Sequence, residues 1–153
     1  MKSVLVVYYS KAGKTKRMAE NICEAVNALK VQAVLKGVES FNVTDLVKFD
    51  GIAVGSPTYF SNMAWPIKKL VDESIYFYGA TSSLEGKVGG CFTSAGCQTD
   101  GIECLRLLEL SFGFHHKMKL VPGIISDEDE KEDELKQRCR DFGARLAGRL
   151  IQA

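Results

Sequence analysis

Residues Val6–Ile22, V-V-Y-Y-S-K-A-G-K-T-K-R-M-A-E-N-I, constrain the chain more than any other stretch. The β-branched run before Ser10 predicts a buried strand, and Met18, Ile22, Val26 and Leu29 recur at helical spacing. Only the short polar turn Ser10–Thr15 separates them. A strand passing so abruptly into an amphipathic helix is the start of a βαβ unit, which requires a parallel sheet.

The turn itself predicts an anion site. Gly13 supplies a backbone shape that other residues resist, and the first amides of the helix have no partner within it. Ser10 and Thr15 add hydroxyls, while Lys11, Lys14, Lys16 and Arg17 raise the local potential, so a phosphate is the natural guest. The other reading is an empty capped turn. Gly13-Lys14-Thr15 is not a nucleotide triphosphatase loop, because that motif needs a glycine where Tyr8 stands.

Five strands alternate with helices along the chain. After the first strand and helix come a strand over Val31–Val38 and a weak helix from Asn42 or Thr44 to Lys48. The apolar strand Gly51–Gly55 follows, then a helix opened by Pro66 and carrying Ile67, Leu70, Val71 and Ile75, then a loop over Gly79–Gly86. Lys87–Thr93 reads as strand four, Ile102–Leu110 as a helix and Met118–Pro122 as the core of strand five. The last helix is expected to be capped by Ser126, with acid over Asp127–Glu134 in its early turns and a buried stripe of Leu135, Cys139, Phe142, Leu146 and Leu150. Its acidic run is a solvated helix start or a surface for a basic partner.

Such a sheet binds ligands beyond the carboxyl ends of its strands, where strand order reverses. That rule selects Ser10–Thr15, Pro57–Trp65 and Thr93–Gly101. The second loop, with Pro57, Thr58, Tyr59, Phe60, Ser61 and Asn62, places aromatics where a polar connection is usual; they cover the adjacent helix or stack on a planar ring. The third, with Thr93, Ser94, Ala95, Gly96 and Cys97, is small enough for its backbone to approach a flat ligand.

The first stretch resembles the flavodoxin signature: Val6-Val7-Tyr8, then Ser10, Gly13 and Thr15, then Ala19 and Ile22. P-T-Y-F-S-N-M and F-T-S-A-G-C resemble the ring-binding loops of the flavodoxin-like quinone reductases of the WrbA type, and His115-His116 matches a double histidine in that group. The insertion with which WrbA-type proteins build their tetramer is missing. The resemblance implies a flavodoxin-like three-layer α/β fold, doubly wound, with a five-stranded parallel sheet in the order 2-1-3-4-5. It implies FMN, its phosphate held by Ser10, Lys11, Ala12, Gly13, Lys14 and Thr15 and its ring by Pro57–Asn62 and Thr93–Cys97. His115 or His116 would stabilise the reduced ring or orient an acceptor.

Two clues separate an NAD(P)H-dependent two-electron reductase of quinones from an electron-transfer flavodoxin. Neither ring loop carries an acid, the nearest being Asp100, whereas a low-potential shuttle is typically acidic around its flavin. Ser61 stands where the family commonly has a glycine whose peptide turns over to bond ring atom N5 in the one-electron-reduced state, and a serine makes positive φ costly. Both favour the reductase, with NAD(P)H as co-substrate and a small-molecule acceptor or redox protein as partner.

At 153 residues and 46% hydrophobic, the chain is expected to form one domain, residues 1–153. A net charge of +1 without a basic run gives no footprint for nucleic acid or an anionic membrane. With no cleavable leader or spanning segment visible after Met1, a soluble cytoplasmic protein is expected, with a homodimer open as its assembly. Cys23, Cys91, Cys97, Cys104 and Cys139 lack metal-clasping spacing and suit reduced thiols; no metal site is expected. Cys97 alone falls in a site loop, as a packing residue or an accessible thiol.

Overall fold

The computed structural model describes all residues, Met1–Ala153. Its first unit is strand β1 (Ser3–Tyr8), helix α1 (Lys14–Ala28) and strand β2 (Gln32–Gly37), as the opening stretch requires. Alternation along β1 sends Val4 and Val6 to one face of the sheet and Leu5 and Val7 to the other, and all four are fully buried. A strand sealed on both faces needs helices on both sides, and the rest of the chain supplies them.

Strand β3 (Gly51–Tyr59) pairs with β1, β5 (Val88–Ser94) pairs with β3, and β6 (Lys119–Leu120) pairs with the start of β5, all parallel. The order β2-β1-β3-β5-β6 is the expected 2-1-3-4-5. Six of the seven strand segments fill these five positions, and the seventh lies off them. The short β4 (Asn62–Met63) folds back antiparallel on β3, and β7 (Ile124–Ser126) resumes the edge that β6 begins. The intervening Val121–Gly123 includes Pro122, which has no amide for a ladder.

Helix α1 packs with α4 (Glu132–Gln152) on one face, over Met18, Ile22, Phe92, Phe142 and Leu146. Helices α2 (Trp65–Glu73) and α3 (Gln98–Glu109) cover the other, over Ile52, Val54, Ile67, Leu84 and Leu108. Three close approaches need glycine. A Cβ on Gly55 would lie 2.1 Å from the ring of Phe92, its cross-strand partner, and one on Gly90 would lie 2.6 Å from Phe142. Phe92 and Phe142 meet edge to face with centroids 6.1 Å apart. On α4, a Cβ on Gly143 would lie 2.6 Å from the carbonyl oxygen of Ile22, so that glycine sets the α1–α4 approach.

Three expectations need correcting. Ser126 does not cap the last helix: it ends β7, fully buried, and α4 starts only at Glu132 after Lys131. The edge strand continues because Phe92, Thr93 and Ser94 of β5 have open hydrogen-bonding sides that Ile124, Ile125 and Ser126 fill. Ile75 is not on the buried side of α2, which ends at Glu73; it lies in a 3₁₀ turn and is exposed. The weak helix over Val43–Lys48 is also a 3₁₀ segment, started by Asn42 Oδ1 accepting from the Thr44 amide at 3.0 Å.

Candidate functional site

The carboxyl ends of β1, β3 and β5 converge on a cleft of about 230 Å³. Ser10, Lys11, Ala12, Lys14 and Thr15 form one wall, and Pro57, Thr58, Tyr59, Ser94, Ala95 and Gly96 form the others. The three loops chosen from sequence therefore meet in one place.

Gly13 shapes the first wall. Its φ is 101°, a left-handed value, and its amide donates to Ser10 Oγ at 3.0 Å, closing the turn on itself. As the residue before α1 it offers no side-chain cap, so the first amides of the helix face the turn with their donors free. Thr15 and Ser94, from opposite walls, join hydroxyl to hydroxyl at 2.8 Å in the buried floor. Lys14 reaches across and donates its ammonium to the Asp127 carbonyl oxygen. Free amides, three hydroxyls and two ammonium groups converge here, and that donor set fits a phosphate.

Beneath the ring loops runs a second polar chain. Thr58 and Thr93 share a hydrogen bond of 2.7 Å, and Ser56 Oγ accepts from the Ala64 amide at 2.9 Å, tying β3 to the start of α2. Thr93 is thus a buried support and does not line the cleft. Phe60 and Ser61 form the tip of a hairpin between β3 and β4, with φ of 52° and 63°. Two successive positive φ values are the mark of a hairpin turn that follows strand twist. Asn62 braces it, accepting from the Met63 amide at 2.8 Å. Phe60 is 100% exposed and Trp65 74% exposed, while Tyr59 is half-exposed. Burial beside Tyr9 raises the Tyr59 phenol pKa above its usual value, so the hydroxyl stays protonated.

Ser61 corrects the first clue from sequence. Its hydroxyl donates to Asp100 Oδ1 at 2.7 Å, which brings an acid into contact with the ring loop. The second clue weakens as well, since Ser61 already holds positive φ and this hydrogen bond helps to keep it there.

The structure sets the two histidines apart from this cleft. His115 and His116 precede β6, and β6 pairs with the first residues of β5, whereas Ser94 at the cleft is the last. Roughly 20 Å of strand lies between. Within one chain, neither histidine reaches a ring bound in the cleft. Cys97, exposed just before α3, stands outside the lining.

Sequence reading missed Glu128, which lines the cleft opposite Gly96, and the loop that carries it. Asp127 accepts from Gln98 at 2.8 Å and from the Asp129 amide at 3.0 Å, and these bonds hold its carboxyl below the usual range. The strand-end rule applied to β7 would have found this loop. Reading Ser126 as a helix cap hid it.

Strand order, the reversal point and a donor-rich cleft at the strand ends together define a doubly wound α/β protein whose cleft fits a phosphate group. The family model described as a flavodoxin domain matches residues 5–95. The chain is 32% identical to a flavodoxin of Aquifex aeolicus, over 96% of its own length and 86% of the relative's. It is 31% identical to NAD(P)H dehydrogenase (quinone) 3 of Rhizobium meliloti, over 67% of its own length and 58% of the relative's. Among solved structures, a flavodoxin, WrbA-like protein from Agrobacterium tumefaciens superposes with TM-score 0.85 at 26% identity, covering 99% of both chains. This chain belongs to the flavodoxin family. Family membership implies FMN, and the donor set of the cup fits its phosphate.

Proposed function

We propose that this protein is an FMN electron carrier that exchanges electrons with redox proteins. The observation that supports this best is the Ser61–Asp100 hydrogen bond, which sets a carboxylate against the loop that would hold the ring. Negative charge there opposes the build-up of negative charge on a reduced ring, which lowers the potential, as a shuttle requires.

FMN, when bound, supplies both one-electron and two-electron redox chemistry. The chain's own residues then divide the work. Ser10, Thr15, Ser94, the first amides of α1 and the ammonium groups of Lys11 and Lys14 bind phosphate. Pro57, Thr58 and Tyr59 on one side and Ala95 and Gly96 on the other bound the ring. The Phe60–Ser61 tip, held at positive φ, would set the backbone that faces the ring, and Thr58–Thr93 fixes the two ring loops relative to each other. Phe60 and Trp65 present an exposed apolar edge beside the cleft, through which a partner can approach.

The same open edge supports a second reading, an NAD(P)H-dependent quinone reductase in which it admits the nicotinamide. The similarity to the Rhizobium meliloti protein and to the WrbA-like structure favours it.

An anaerobic titration of FMN-loaded protein separates the two. For the carrier, NADH and NADPH leave the oxidised visible spectrum unchanged, and dithionite takes it through a distinct third spectrum before complete bleaching. Rapid bleaching by a nicotinamide, with steady turnover of added quinone, would replace the carrier with the reductase.

A further inference from the structure

At the other end of the sheet lies a second pocket of about 330 Å³, lined by Val71, Ser74, Ile75, Tyr78, His115 and His116. Its volume is in the range of small-molecule sites, and nothing in the FMN cleft calls for it. The end of α2 and the 3₁₀ turn after it form one side; the π-helical segment Leu110–His115 forms the other.

Its floor is a built polar pair. Ser74 is 1% exposed and His116 7% exposed. The Ser74 hydroxyl donates to the Val71 carbonyl oxygen at 2.6 Å, and so can only accept from His116 Nε2, 2.8 Å away. That assigns the ring proton to Nε2 and leaves Nδ1 with a lone pair. Nδ1 makes no hydrogen bond within the chain and is not sealed from solvent, and His116 lines the pocket. Burial lowers the His116 pKa, which keeps the ring in this neutral, accepting form.

Val71, Ile75 and Tyr78 give the walls their apolar surface, beside the polar Ser111. Tyr78 stands edge-on to His115 and His116, with centroids 6.2 and 6.1 Å away, and Phe112 stacks on His116 at 6.0 Å. Ile75 and Tyr78 leave apolar surface open to an occupant. The acid at the rim, Asp72, is paired with Lys68, so the pocket offers no free countercharge.

We propose that this pocket binds a small, neutral, planar aromatic molecule bearing one O–H or N–H donor, a phenol being the simplest, with its ring against Tyr78 and Ile75 and its donor on His116 Nδ1. The site stands independently of the flavin reading. A hydroxyl donor distinguishes it from a merely greasy hollow, because only the donor-bearing ligand satisfies Nδ1.

The test titrates the ¹⁵N-labelled full chain, with and without FMN, with phenol and in parallel with anisole, which has the same ring but no donor. Saturable amide shifts are expected across residues 71–78 and 111–116, with phenol binding about tenfold tighter, the effect of one hydrogen bond. In His116→Phe that preference is expected to vanish while anisole binding survives. Equal affinities for the two probes in the wild-type chain, shifts confined to the FMN cleft, or shifts that stay linear without saturating would each overturn the proposal. The wild-type comparison decides even where the variant fails to fold.

Discussion

Gly55→Ala tests how the core and the FMN cleft are joined. The added Cβ would stand 2.1 and 2.2 Å from two ring carbons of Phe92. Ordinary carbon contacts lie near 3.5–4.0 Å, so the overlap exceeds about 1 Å. Phe92 has nowhere to retreat. It is fully buried and rests edge-to-face on Phe142, and Phe142 in turn lies against the backbone of Gly90. Relief requires β3 and β5 to separate, or Phe92 to leave its rotamer, so the cost should sit at the upper end of overpacking penalties, about 3 kcal/mol. For a chain of this size that is a fall in Tm of roughly 6–12 °C.

The effect should also reach the cleft, because Gly55 accepts from the Tyr9 amide at 3.1 Å and lies two residues before Pro57. Thermal unfolding followed by circular dichroism, with FMN affinity followed by quenching of flavin fluorescence, measures both. Phe92→Leu makes room for the methyl, so Gly55→Ala should cost at least about 1 kcal/mol less in that background. Strict additivity of the two substitutions, or a Gly55→Ala protein as stable as wild type, would refute the packing argument.

Gly13→Ala forces a side chain into φ of 101° and should cost about 1–2 kcal/mol in stability; FMN affinity, measured by fluorescence titration, should fall with it. Asp100→Asn removes the charge bonded to Ser61 and should raise the potential of bound FMN by on the order of 1 kcal/mol per electron, roughly 40 mV, in a spectroelectrochemical titration. An unchanged potential would undercut the carrier reading. The His116 pKa is lowered in the fold, so between its native value and about 6.5 the unfolded chain binds the extra proton. Its contribution is therefore complete above about 6.5 and is lost as pH falls through that window, with a plateau below the native pKa. Urea midpoints across this range should show the loss, and His116→Gln should flatten it.

Glu109 works in the opposite sense. Burial raises its carboxyl pKa, so native Glu109 holds its proton to higher pH than the unfolded chain does, and its ionisation subtracts from stability as pH rises. Glu109→Gln should accordingly raise the Tm at neutral pH, as read by calorimetry, and have little effect at a pH below about 4.5.

Local pattern was enough for the architecture and for the turn that walls one side of the cleft. A β-branched run, a six-residue polar turn with one glycine, and a helix of period 3.6 leave little choice, because backbone shape and the free amides of a helix start are set by near neighbours. The buried stripe of α4 was legible for the same reason. What tertiary structure alone decided were pairings between residues far apart in the chain. Ser61 meets Asp100 only because α3 starts beside the β3–β4 hairpin, and that contact reverses the reading of the ring loop. Ser126 looked like a cap until β5 offered it a strand to pair with. The histidines carried no address in sequence; the register of β6 on β5 sets them at the far end of the sheet. Local sequence fixes what a segment can form, but charge and proximity at a site depend on long-range packing.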